Sequence, residues 1–202
     1  VEPDINEYFR TFRYDPQPAH GSPPTAVVWA HVGELEVRGF RVYVGDSWAI
    51  VADGVQVNVL PGIYRLDAEC FAYGQDGRVA RLRGILSGRV PTSRRPAGHF
   101  SVDVASAGVI DADSIEAWAC DDPEAFEAWG EAFVDSRIDD HDIAGFFFCP
   151  GARVSMVHIS TGFGDGTYAI HQLMDGGDVV GFELEFLKPG QGYFEEPQSD
   201  TP

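Results

Sequence analysis

The stretch STGFGDGTYAIHQL, Ser160–Leu173, places glycine at 162, 164 and 166 and then runs into aromatic and aliphatic residues. Two readings compete for it, a phosphate-cradling loop and a bend that enters a strand. A phosphate loop works because a glycine-rich turn delivers a helix N-terminus to the anion. After Gly166 the chain reads Thr167, Tyr168, Ala169, Ile170, His171, Gln172, Leu173, which is strand material. No Gly-Lys-Ser/Thr follows, and the spacing is G-x-G-x-G rather than the dinucleotide fingerprint. The stretch therefore reads as a turn, in which Gly162, Gly164 and Gly166 supply positive φ and close backbone approach.

Working outward, the flanking residues are of the same kind. In GFELEFL, Phe182, Leu184 and Phe186 fall on one face and Glu183 and Glu185 on the other, the period of a half-buried strand. VQVNVL (Val55–Leu60) alternates in the same way, and ELEVRGFRVYV (Glu34–Val44) is rich in β-formers. The pattern also repeats. YVGDSWAIVAD (Tyr43–Asp53) set beside DVASAGVIDAD (Asp103–Asp113) matches Val44 with Val104, Ile50 with Ile110 and Asp53 with Asp113. GIYRL (Gly62–Leu66) matches GTYAI (Gly166–Ile170), and each is followed by a strand, a Gly/Asp turn and another strand.

The expected fold is mainly β, a two-sheet sandwich-like or duplicated β architecture with a helical insertion in the second half. The expected organisation is an N-terminal arm at 1–25, a first β half at 26–98, a second at 99–187 with its insertion at 114–140, and a tail at 188–202. The insertion holds the helix signal DDPEAFEAWGEAF. There Asp122 suits an N-cap and Pro123 the first turn, and Phe126, Trp129 and Phe133 form one apolar stripe. A shorter helix is expected from Asp113 to Ala119.

Composition limits the function classes. A net charge of −18 disfavours nucleic acid and anionic membranes as partners and admits a basic protein. Twelve acids and one base lie between Asp111 and Asp142, whereas Arg78, Arg81, Arg83, Arg89, Arg94 and Arg95 cluster in one short stretch. Three separated cysteines, Cys70, Cys120 and Cys149, suit a reducing, cytoplasmic compartment and small buried roles. No apolar run approaches the ~20 residues that span a bilayer.

The run Ser160, Gly162, Phe163, Gly164, Asp165, Gly166, Tyr168 resembles a bacterial family called domain of unknown function 4241. VDVASAGVIDAD (Val102–Asp113), PGIYRL (Pro61–Leu66) and the hairpin from Cys70 to Leu86 carry the likeness further, over roughly Val42 to Leu187. Ala169 stands where proline often follows the tyrosine. The resemblance implies a β-rich bacterial domain and supplies no catalytic residues.

Motifs of chemistry are sparse. No Gly-x-Ser-x-Gly elbow is present. DDHD (Asp139–Asp142) reads as a solvated loop and DADSIE (Asp111–Glu116) lacks the glycine and length of a calcium loop, so no metal and no cofactor are expected. The expected function is a non-catalytic protein-interaction module, immunity- or antitoxin-like, that binds a basic protein. The binding candidates are Ser160, Phe163, Asp165, Tyr168 and His171. One alternative is a hydrolase whose polar site gathers Ser160, His158, Asp165 and His171. Another is a carbohydrate-binding sandwich with exposed aromatics, for which Phe163 is the residue to inspect.

Overall fold

The computed structural model describes residues 2–12, 23–124, 128–129, 131–133, 143–148 and 155–188. In chain order the elements are α1 (Ile5–Phe9), β1 (Ala26–Val37), β2 (Arg41–Asp46), α2 (Ile50–Asp53), β3 (Val55–Asn58), β4 (Gly62–Tyr73), β5 (Asp76–Leu86) and β6 (Ser93–Val102). They continue with β7 (Ser106–Asp111), α3 (Ala112–Asp121), β8 (Ala144–Phe148), β9 (Ser155–Ser160), β10 (Gly166–Asp175) and β11 (Asp178–Glu185). A six-stranded sheet has the order β1-β4-β5-β11-β10-β6, and a five-stranded sheet the order β3-β2-β7-β9-β8. Among the described residues the strands of both sheets pair antiparallel, and an isolated bridge between Asp4 and His31 is parallel. The mainly β, two-sheet expectation holds, with α3 as the helical segment of the second half.

The alternation in sequence explains the core. Leu66, Leu82, Phe182, Leu184 and Ile170 of the large sheet meet Val42, Val44, Val109, Val157 and Ile159 of the small one. Gly84 makes room for this layer, since a Cβ there would lie 2.5 Å from the Phe182 ring. The other face of the small sheet carries a second apolar cluster of Ile50, Ile110, Ile115, Trp118, Trp129, Phe133, Phe147 and Met156. Asp111 caps α3, accepting the Ser114 N–H at 3.2 Å. The helix expected from Asp122 to Phe133 falls partly outside the described residues. Within them, the Ala128 N–H donates to Glu124 and the Ala132 N–H to Ala128, and Trp129 and Phe133 are buried. Phe126, the DDHD cluster and Cys149 lie outside them.

The repeat is written into the register. Val37 faces Gly62 as Val102 faces Gly166, and Gly33 faces Leu66 as Gly98 faces Ile170. Both pairings break register at the same place, between His31 and Gly33 and between Ile170 and His171. The β4–β5 and β10–β11 hairpins break together too, after Glu69 and after Leu173. Strands β1, β4 and β5 therefore correspond to β6, β10 and β11, and a pseudo-two-fold passes between the central pair β5–β11. The repeat boundary falls between β5 and β6. This register confirms the match of GIYRL with GTYAI and corrects the other one. Val44 pairs with Val109 at the centre of β2–β7, so Asp46 corresponds to Asp111, and Asp53 does not correspond to Asp113. The sequence match is displaced because a longer turn separates β2 from α2 than separates β7 from α3.

The outer edges of the large sheet are closed by different means. On β1 the edge N–H of His31 donates to Pro3 O at 2.9 Å. The corresponding residue of β6 is Pro96, which has no N–H to satisfy. The N-terminal segment also reaches the small sheet. Asn6 Oδ1 accepts the Ile143 and Ala144 N–H groups at 2.9 and 3.2 Å, and its Nδ2 donates to Ala144 O at 2.8 Å. Thus α1, with Ile5 only 1% exposed, seals the side of the sandwich between β1 and β8. Among the described residues, no helix is long and apolar enough to cross a membrane.

Candidate functional site

The glycine turn lies at one end of the sandwich and is built as a corner. Asp46, the last residue of β2, accepts the Trp48 N–H through Oδ1 at 2.8 Å. Through Oδ2 it accepts the Asp103 and Val104 N–H groups of the β6–β7 turn at 2.6 and 3.1 Å. Asp165 Oδ1 takes the next amide, that of Ala105, at 2.9 Å, and the Thr161 N–H donates to Ala105 O at 3.0 Å. Two carboxylates thus hold a turn in which Ala105 has φ 55°, the one positive φ at a non-glycine among the described residues. Such a conformation costs about 1 kcal/mol and persists when its surroundings over-determine it. Above this frame Trp48 is 52% exposed and Val104 39%, with the exposed Asp103 and Asp165 beside them.

The turn itself is a structural bend. Gly162 and Gly164 have φ +40° and +113°, and a Cβ on Gly162 would lie 2.7 Å from Leu187. The Thr161 hydroxyl donates to Gly164 O at 2.6 Å, and the Tyr168 hydroxyl donates to the same oxygen. The downstream element is strand β10, as the sequence reading required. Phe163 is half-buried, packed 6.4 Å from the Tyr73 ring and under the Arg78 guanidinium at 5.3 Å. Arg78 forms a buried ion pair with Asp76 at 2.8 Å.

The remaining candidates are dispersed by strand alternation. His158 and Ser160 alternate with the core residues Val157 and Ile159, so they sit on the outer face of the small sheet. There the His158 ring packs 5.6 Å from Phe133. His171 alternates with Ile170 and sits on the outer face of the large sheet. The two histidines therefore lie on opposite faces of the sandwich, and Ser160 and His171 share no pocket.

His171 belongs to a polar rung that crosses the large sheet: His31, Asp67, Arg83, Glu183, His171, Pro96. Glu183, 1% exposed, receives Arg83 at 2.7 Å and Arg94 at 2.6 Å. Burial alone would raise its carboxyl, but these hydrogen bonds and the charges of Arg83 and Arg81 hold it below the ordinary glutamate range. His171 is held below the ordinary imidazole value by burial and then by Arg94. The basic cluster seen in the sequence is thus largely consumed within the sheet, with Arg89 on Asp175 and Asp178, Arg81 on Glu69 and Arg83 on Glu183. His171, Glu183 and Glu185 bring potential ligand atoms within 4.8 Å of one another. Guanidiniums already engage both Glu183 oxygens, and Arg94 also lies 3.4 Å from Glu185, so the cation's place is filled. Beside the rung, Glu2, Trp29, Asp67, Arg83 and Ile85 line a shallow hollow of about 220 Å³, where the Arg83 guanidinium covers the Trp29 ring at 4.5 Å.

Sequence reasoning singled out Asp165 at the corner but missed Asp46, Trp48, Asp103 and Val104. The signal was present in the repeat, because an aspartate closes both β2 and β7, but the displaced match of the two halves concealed it. Comparisons with protein-family models, with curated proteins and with solved structures found no match for this chain.

Proposed function

We propose that the protein is a non-catalytic binding module, immunity- or antitoxin-like, that docks a basic protein on the corner formed by Trp48, Val104, Asp103 and Asp165. The reading includes membership of the bacterial family that the glycine motif resembles, and a cytoplasmic setting. The observation that carries it is an exposed tryptophan whose backbone is fixed by the Asp46 carboxylate, at the edge of an acidic turn. A rigid aromatic anchor with a charged rim is the composition of a binding hot spot. The net charge of −18 favours steered encounter with a cationic partner. The experiment is titration of the purified chain with basic proteins encoded beside its own gene, at low and high ionic strength. Binding should weaken with salt, and Trp48→Ala should weaken it by roughly 30-fold or more. Association that is indifferent to salt and to Trp48→Ala refutes the proposal, and so does the absence of association.

A further inference from the structure

We propose that the internal two-fold provides a second docking corner, centred on Phe40, and that the protein holds two copies of one basic partner. The inference rests on the docking function proposed above and extends it to a site that function does not use.

The two corners are built by one device. Strands β2 and β7 pair antiparallel, with Val42 opposite Asp111 and Asp46 opposite Ala107, so their closing aspartates stand at opposite ends of the pair. Each aspartate reaches across to the turn of the other half. Asp46 accepts the Val104 N–H at 3.1 Å, and Asp111 accepts the Gly39 N–H at 3.3 Å. In each turn the next amide goes to a second carboxylate, Ala105 to Asp165 at 2.9 Å and Phe40 to Asp113 at 3.3 Å. The register that equates Val37 with Val102 matches Gly39 with Val104 and Phe40 with Ala105, while Ala105 alone has a positive φ and the second carboxylates come from different elements, the glycine turn and α3.

Both turns carry apolar surface outward on a fixed frame. Phe40 is 63% exposed, more than Trp48 at 52% or Val104 at 39%. A phenylalanine held in solvent by two carboxylate caps has no role in the core, and the backbone beneath it is already ordered, which lowers the cost of binding. The charge has the same sign at both ends. Around Phe40, Glu36, Asp111, Asp113 and Glu116 outnumber Arg38 and Arg41. Arg38 is held by Glu36, and Arg41 by Asp113 and Glu116. Asp113 and Glu116 keep 41% and 43% of their side chains in solvent, so an incoming cation meets the net negative charge of the cluster even though their oxygens already accept from Phe40 and Arg41 and from Tyr43 and Arg41. The surface at each end therefore fits a segment that presents an apolar side chain between basic ones. The β1–β2 and β6–β7 turns leave opposite ends of an antiparallel pair, so two partners approach from opposite directions.

The test uses the full chain, isotope-labelled, and the capped tripeptide amide acetyl-Arg-Leu-Arg-amide as probe. Acetyl-Glu-Leu-Glu-amide serves as the control. The expected result is saturable amide shifts in two separate sets. One contains Gly39 and Phe40, and the other contains Val104, Ala105 and the Trp48 indole. Trp48→Ala should abolish the second set and leave the affinity read at Phe40 within about two-fold, as for independent sites. Phe40→Ala should do the converse. Shifts confined to Trp48 and Val104 overturn the second corner and leave the docking function standing. Shifts at neither set, shifts spread evenly over other exposed acids such as Asp121 and Glu131, or equal shifts from the acidic control overturn both.

Discussion

A valine at position 164 would have to accept φ +113°, a conformation that L side chains rarely adopt. Space is not the obstacle, since the nearest heavy atom to a Cβ there is Ala105 Cβ at 3.8 Å. Gly164→Val should therefore lose about 1–3 kcal/mol through the backbone alone. Thermal unfolding measures this, and a melting temperature equal to that of the parent removes the explanation. Asp46→Ala acts differently, because it strips one acceptor from three backbone N–H groups. The expected loss is about 2 kcal/mol, and Asp46→Asn, which keeps one carbonyl oxygen, should recover part of it. The two residues also differ in how legible they were. A glycine's need for positive φ is local, so the run at 162–166 could be read as a bend directly. Two of the three amides that Asp46 caps lie 57 and 58 residues away, and nothing local to Asp46 announces them.

Among elements, the rung across the large sheet makes stability depend on pH in two windows. His171 has a depressed folded value, so its unfolded form binds more protons below the ordinary imidazole pKa. Its contribution is intact above about pH 6.5 and is lost as the pH falls beneath that value. Glu183 is depressed as well, and its contribution is lost only as the pH falls below the ordinary carboxyl value, near about 4.5. Denaturant titrations across pH should show both declines, and His171→Gln should erase the upper one alone. Glu183→Gln should cost about 2 kcal/mol, less than a fully enclosed pair because Arg83 and Arg94 reach solvent. At the seam, Asn6→Ala should speed hydrogen exchange at Ile143 and Ala144 while the centre of β5 stays protected. Strands with period two, such as β11, were readable because apolar and charged side chains alternate, but the face expected in solvent is buried too, with Glu183 and Glu185 covered by arginines from neighbouring strands. The helix α3 was readable from its residues, and the structure adds Asp111 as its cap. The seal was not readable, because α1 is five residues long and its role lies in one amide that mimics a strand neighbour.

At the scale of the molecule, the pseudo-two-fold turns one chain into a near-symmetric pair of halves that share both sheets. The duplication was legible in the GIYRL and GTYAI segments, where the bulged hairpins keep the spacing. It was misread in the β2 and β7 segments, where unequal turns before the helices move the similar residues out of step. The same symmetry sets the two turns at opposite ends of the β2–β7 pair, and the exposed apolar residues there, Trp48 and Phe40, stand at non-equivalent positions of the two halves.

The central pairing of β5 with β11 joins residues that lie 100 positions apart, as Arg83 and Glu183 do. A ribosome delivers the first half complete while the strand meant to cover its open flank does not yet exist. During that interval the exposed border of β5 is free to recruit the same border of a neighbouring nascent chain. Slowed translation beyond Leu86 should therefore raise the yield of intertwined or aggregated product, and supplying the second half in trans should suppress it.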